Sequence, residues 1–225
     1  MKRLLIIALT LIIVSACQEQ KKQTASTVLI ESAPQSAGFS ATRLARLDTT
    51  LNTWVKNGWI NGAAALIARD GKIIYYKAAG YNDLETKEPL KKDGIFRIAS
   101  QTKAITSVAV MMLYEEGKFL LEDPVSKFIP SFANATVLDK FNPKDTTYTT
   151  IPATRQITIR DLLTHTSGIG YAQIGGLEEN SIYAKNKITA GLDVYEGTLA
   201  DAMTRLGSLP LMHQPGQQWT YGLNI

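Results

Sequence analysis

Phe96-Arg97-Ile98-Ala99-Ser100-Gln101-Thr102-Lys103, running on into Ala104-Ile105-Thr106-Ser107-Val108-Ala109-Val110-Met111-Met112-Leu113, decides how the chain is read. It is a short apolar approach, a serine, and a long amphipathic helix with a lysine one turn inside. Ile105, Val108, Ala109, Met112 and Leu113 recur at helical spacing and are expected to face a core. Gly117, after Glu115 and Glu116, supplies a stop. Positions three apart share a helix face, so Ser100 and Lys103 point into the same space. The serine also sits near a helix N-terminus, where unpaired N–H groups and the macrodipole favour developing negative charge. A nucleophile whose attack creates an oxyanion belongs in such a place. Ser-x-x-Lys occurs once in the sequence.

The surroundings sharpen the reading. Phe96 to Lys103, then Tyr114-Glu115-Glu116-Gly117-Lys118, Leu121-Glu122-Asp123-Pro124-Val125 and Phe128-Ile129-Pro130 closely resemble the serine beta-lactamase-related hydrolases. These include class C beta-lactamases, family VIII esterases, D-aminopeptidases and low-molecular-weight penicillin-binding proteins. The resemblance implies an α+β, beta-lactamase/transpeptidase-like fold (an α/β sandwich), with an antiparallel sheet flanked by helices plus an all-helical region. It implies an acyl-enzyme on Ser100, with Lys103 placed to accept the serine proton. Pro215-Gly216-x-x-Trp219-Thr220-Tyr221 resembles the family segment that carries the catalytic tyrosine, and Tyr221 is the match. Tyr221 would act as base or relay and protonate the leaving group, and the Ser100 N–H would supply half of an oxyanion hole. Beta-lactamases follow the tyrosine with x-Asn, whose amide touches the substrate. Here Leu223 holds that position, and Asn224, one residue later, is the candidate substrate-binding amide. Tyr-x-Leu leans toward the esterase branch.

His165 invites a Ser-His hydrolase reading. In the resembled Leu-Leu-x-His-Thr-Ser-Gly segment (Leu162 to Gly168), however, that histidine packs and hydrogen-bonds a loop, and Ser167 is a turn residue. The chain has no Gly-x-Ser-x-Gly elbow, which weighs against an α/β-hydrolase.

Totals bound the rest. The chain has 225 residues, 45% of them hydrophobic, with a formal charge of +4 that drops to +2 without Lys2 and Arg3. No basic stripe interleaved with aromatics supports a nucleic-acid partner. The two histidines lie far apart and Cys17 is the single cysteine. No intrachain disulfide can therefore form, and neither a metal nor a cofactor is expected.

Met1-Lys2-Arg3 followed by the apolar run Leu4 to Val14 reads as a signal peptide, too short for a spanning helix. Val14-Ser15-Ala16-Cys17 resembles the bacterial lipobox, so residues 1–16 are expected to be a lipoprotein signal and Cys17 to be lipidated, tethering the protein to a membrane. Gln18 after the cysteine points to the outer membrane, facing the periplasm or the surface. Residues 17–37 read as a flexible tether, and 38–225 as the hydrolase domain. Within it, Ser40 caps a helix over Leu44, Leu47, Leu51, Trp54 and Val55 that stops at Gly58. Ala63 to Ala68 and Ile73 to Ala78 form a hairpin about Asp70-Gly71. Residues 133–157 and 170–191 read as loops. Thr158-x-x-Asp161 and Thr198-x-x-Asp201 are capping-box starts.

The family's third motif, a Lys-Thr-Gly or its equivalent after the tyrosine, has no counterpart before Ile225; Lys187-Ile188-Thr189-Ala190-Gly191 has the wrong order. The expectation is an N-terminal portion of a longer protein, poorly folded and inactive by itself. The function expected of the whole is hydrolysis of small esters, amides or peptides by a tethered serine hydrolase. The alternatives are a non-catalytic lipoprotein that binds penicillin or cell-wall peptides, and an inactive fragment.

Overall fold

A computed structural model describes residues 29–188 and 197–225. The signal segment and Cys17 lie outside the described residues, as does the end of the Lys187–Gly191 run. Two compact units divide the chain, one ending at Phe96 and the other starting at Arg97.

The first unit is built on the hairpin of β2 (Gly62–Arg69) and β3 (Lys72–Gly80). Its register runs from Gly62 opposite Gly80 to Arg69 opposite Lys72. Asp70 and Gly71 both have positive φ, 51° and 73°. That is the backbone a two-residue hairpin turn requires, and Asp-Gly adopts it at little cost. Helix α1 (Ala41–Lys56) starts where Ser40 accepts a hydrogen bond from the Arg43 N–H, and Gly58 follows it at φ 70°. Against β3 it places Asp48, which accepts hydrogen bonds from the Tyr75 hydroxyl (2.8 Å) and Lys77 Nζ (2.5 Å). Burial and this carboxylate push the Tyr75 phenol up to about 12.

The stretch read as tether is not irregular to its end. β1 (Ile30–Glu31) pairs parallel to the far side of β3, and Pro34–Ala37 forms a 3-10 turn closed by Gly38 at φ 76°. Residues 30–37 of that stretch are therefore ordered. A two-residue strand has too little periodicity to stand out from polar sequence.

The second unit begins with the 3-10 turn Ala99–Gln101 and helix α2 (Thr102–Glu115), after which Gly117 takes φ 70°. Here one expectation fails. α2 buries none of its residues, and Ile105, Val108, Met112 and Leu113 are all exposed. The unit's core forms instead among Val125, Phe132, Val137, Ile157, Ile169, Ile182, Tyr183, Leu206 and Leu211. Helical periodicity says which face is apolar, not whether a neighbour covers it.

Two segments expected as loops are ordered. Residues 133–157 contain a second hairpin, β4 (Thr136–Phe141) with β5 (Tyr148–Pro152). Its Asn142 and Asp145 side chains accept backbone N–H groups within the turn. Its Thr, Tyr, Val and Ile residues are strand formers, and their polarity reflects an exposed sheet rather than a missing one. The 170–191 segment contains helix α4 (Leu177–Lys185), with Glu178 and Glu179 in its first turn.

Both capping boxes form, at the starts of α3 (Ile159–Leu163) and α5 (Leu199–Gly207). At α3 the box doubles as a clamp. Asp161, 4% exposed, accepts the Thr158 N–H and hydroxyl, and Arg155 grips both of its oxygens at 2.6 and 2.9 Å. Burial alone would raise this carboxyl, but the Arg155 and Thr158 hydrogen bonds outweigh it and bring it from 3.8 down to about 2. A depressed carboxyl stabilises the fold fully above its unfolded value and loses that contribution as pH falls toward the folded one. Asp161→Ala is accordingly expected to cost about 2–4 kcal/mol at pH 7, read as a lower urea midpoint. The gap to the wild type should close between pH 4 and 2.

Candidate active site

All three groups expected to meet lie in the second unit. Ser100 stands in the 3-10 turn ahead of α2, and Lys103 lies on the helix's first turn. Lys103 Nζ donates to Ser100 Oγ at 3.5 Å, and the Tyr221 hydroxyl donates to the same oxygen at 2.6 Å. Ser100 Oγ is thus the meeting point of an amine and a phenol.

The residue before the serine is strained. Ala99 has φ 43°, in the left-handed region, where a Cβ costs about 1–2 kcal/mol. Such outliers persist where surrounding structure over-determines them, and they cluster at functional sites. Here it turns the chain into α2 with the Ser100 side chain directed at Tyr221.

Tyr221 is held by its neighbours in sequence and space. Its segment runs beside residues 165–170, with hydrogen bonds from Thr220 N–H to His165 O (2.8 Å) and from Leu223 N–H to Gly170 O (2.9 Å). At Gly222 a Cβ would run into the Ile169 and Gly170 carbonyl oxygens, so this close approach needs a glycine. The Tyr221 ring stacks on His165, with centroids 5.1 Å apart, and on Tyr171 at 5.8 Å. Lys103 Nζ lies 5.0 Å from the Tyr221 ring centroid. The hydrogen bond with Ser100 and then the lysine beside it lower the Tyr221 phenol from its ordinary value near 10.

His165 does not reach Ser100. Its Nδ1 accepts hydrogen bonds from the Gly222 N–H (3.3 Å) and the Asn224 amide (3.0 Å), so in its neutral form the proton sits on Nε2. Burial and then the Lys103 charge hold the imidazole below its usual value. The loop-bonding role implied by resemblance is the one its geometry fits.

Asn224 requires a correction. It is buried, its Oδ1 accepts from Ser167 Oγ, and its Nδ2 serves His165 and the Ile169 carbonyl (3.3 Å). Both ends of the amide are hydrogen-bonded within the protein. One residue of displacement along the chain turns a side chain from the pocket into the interior. Ser167, fully buried and also accepting the Ile169 N–H, is the turn residue expected.

Sequence reasoning missed Tyr171. Its ring is stacked on Tyr221 and its centroid lies 5.9 Å from Lys103 Nζ. The only signal was an aromatic residue between two glycine-bearing stretches, Gly170 and Gly175-Gly176.

Comparison with known proteins identifies the family and the fold. The family model described as Beta-lactamase matches residues 45–222. The chain is 35% identical over 186 residues to "Esterase EstB" of Burkholderia gladioli, covering 83% of this chain and 44% of that protein. Among solved structures, "EstCE1, a hydrolase with promiscuous acyltransferase activity" superposes with a TM-score of 0.67 at 30% identity, covering 81% of this chain and 44% of that one. Unliganded simvastatin synthase (LovD) from Aspergillus terreus gives a TM-score of 0.63 at 27% identity, with 82% and 46% covered. The chain thus spans less than half the length of these relatives, and it shares their α+β, beta-lactamase/transpeptidase-like fold.

Proposed function

Because the chain belongs to the beta-lactamase family, we propose that it is a serine hydrolase that forms an acyl-enzyme on Ser100 and acts on small esters. The convergence of Lys103 and Tyr221 on Ser100 Oγ carries this reading. The Tyr221 phenol, once ionised, accepts the serine proton across the contact it now donates through. Oγ attacks the ester carbonyl, the tetrahedral oxyanion forms near the Ser100 N–H at the helix start, and the carbonyl re-forms as the C–O bond to the alcohol breaks. Tyr221 returns the proton to the departing alkoxide. Water then attacks the acyl-enzyme along the same proton route and frees the acid. The lysine charge lies beside the phenolate throughout and stabilises it electrostatically.

Two observations favour an ester over a beta-lactam or peptide. The Asn224 amide that could have held a substrate amide is committed inside the fold. Trp219, 65% exposed with its ring 6.4 Å from that of Tyr221, offers an apolar surface to an acyl or alkyl group. The relatives named as an esterase and as a hydrolase with acyltransferase activity support the same substrate class.

Assays of p-nitrophenyl butyrate and nitrocefin side by side test the reading. Ester turnover well above nitrocefin turnover is expected. Stable labelling of Ser100 by a fluorescent penicillin, with neither substrate turned over, would instead identify a binder. We also propose that Cys17 is acylated and tethers the enzyme to the outer membrane; equal labelled-palmitate incorporation by Cys17→Ser would refute this.

A further inference from the structure

The buried carboxylate of Glu179 has no part in the chemistry just described, yet the site's second aromatic residue depends on it. Glu179 is 7% exposed and accepts the backbone N–H of Tyr171. Burial pushes its carboxyl up, and backbone N–H groups of Tyr171 and Gly176 work against that shift. A Cβ on Gly170 or on Gly175 would occupy the space the carboxylate fills. These two glycines therefore make room for the acid, and the acid fixes the loop between them. The rest of α4's inner face completes the hold. The Tyr183 hydroxyl accepts the Gly170 N–H at 3.1 Å, and the Asn180 amide donates to the Gly175 carbonyl at 3.0 Å.

What this clamp presents is the Tyr171 ring, 7% exposed and stacked on Tyr221. Lys103 Nζ lies near both rings, 5.9 Å from the centroid of Tyr171 and 5.0 Å from that of Tyr221. The ammonium sits beside this stacked pair, within the roughly 6 Å at which a cation is attracted to an aromatic ring. We propose that Tyr171, fixed by the buried Glu179 carboxylate, is a positioning residue that keeps the Lys103 ammonium and the Tyr221 phenol on Ser100. The proposal rests on the serine-hydrolase reading for its kinetic consequences but not for its geometric one.

The test uses Tyr171→Phe, Tyr171→Leu, Glu179→Gln and the Glu179→Gln/Tyr171→Leu double variant, each carrying 3-fluorotyrosine at position 221. Tyr171→Leu removes the ring and is expected to lower kcat for p-nitrophenyl butyrate about tenfold with KM little changed. Tyr171→Phe keeps the ring and should restore most of the loss. In the fluorine NMR titration, the 221 phenol midpoint should rise in Tyr171→Leu and return in Tyr171→Phe. The double variant should be no worse than Tyr171→Leu alone, because Glu179 acts through that ring.

Unchanged kcat and unchanged titration in Tyr171→Leu would overturn the proposal. Equal losses in Phe and Leu would assign the effect to the hydroxyl and overturn it too. Multiplying losses in the double variant would overturn the Glu179 arm. If the wild type turns over no ester, the hydrolase reading fails while the titration still decides whether Tyr171 positions Tyr221.

Discussion

Ser100→Ala is expected to lower kcat/KM for p-nitrophenyl butyrate by about 10,000-fold or more, the loss found when a nucleophile acting as part of a unit is removed. Lys103 and Tyr221 each direct a hydrogen bond onto Ser100 Oγ. The competing hydroxyl of the Thr-Ser-Gly segment, Ser167, is fully buried and bonded to Asn224 and Ile169. The truncation removes one exposed hydroxyl, so the variant should fold as the wild type does, and intact-mass analysis should show no acyl adduct. Retained turnover would place the nucleophile elsewhere.

Tyr221→Phe is expected to cost about 1,000-fold in kcat, within the range for loss of a positioned proton-transfer group. Phenylalanine keeps the ring that stacks on His165 and Tyr171, so an unaltered far-ultraviolet circular dichroism spectrum and urea midpoint should accompany the loss. The pH profile separates chemistry from packing. Hydrogen bonding to Ser100, then Lys103, lowers the phenol from 10, and a base is competent only when deprotonated. In the wild type, kcat/KM should therefore climb with pH and level off below 10. In Tyr221→Phe that limb should vanish; a profile of unchanged shape would show the phenol is not the titrating base.

Much of this arrangement was legible before any coordinates. Ser-x-x-Lys at the head of an apolar helix places two of the groups by helix geometry alone. Asp70-Gly71 marks a turn because few other dipeptides accept two positive φ values. The capping boxes at Thr158 and Thr198 are local by nature, and local signals survive in sequence. What did not survive were non-local facts. Whether the apolar face of α2 is covered depends on a neighbour, and periodicity carries no information about neighbours. Asn224 looked like a displaced substrate ligand because its partners, His165 and Ser167, lie 59 and 57 residues away. Tyr171 and Glu179 escaped notice for the same reason: an acid in a helix's first turn usually means capping, and here it means a clamp on a preceding loop.

The distance along the chain between the two ends of the site has a consequence for the order in which it matures. Ser100 and Lys103 become neighbours as soon as the first turns of α2 wind, an event on the order of a microsecond or less. The phenol, 121 positions further along the chain from Ser100, joins them only when that long loop closes, which is slow. Until then the hydroxyl is an ordinary alcohol, no more reactive than any other serine. If Ser100 is the nucleophile proposed above, its activation arrives last, so a chain refolding from denaturant carries no half-armed acylation centre.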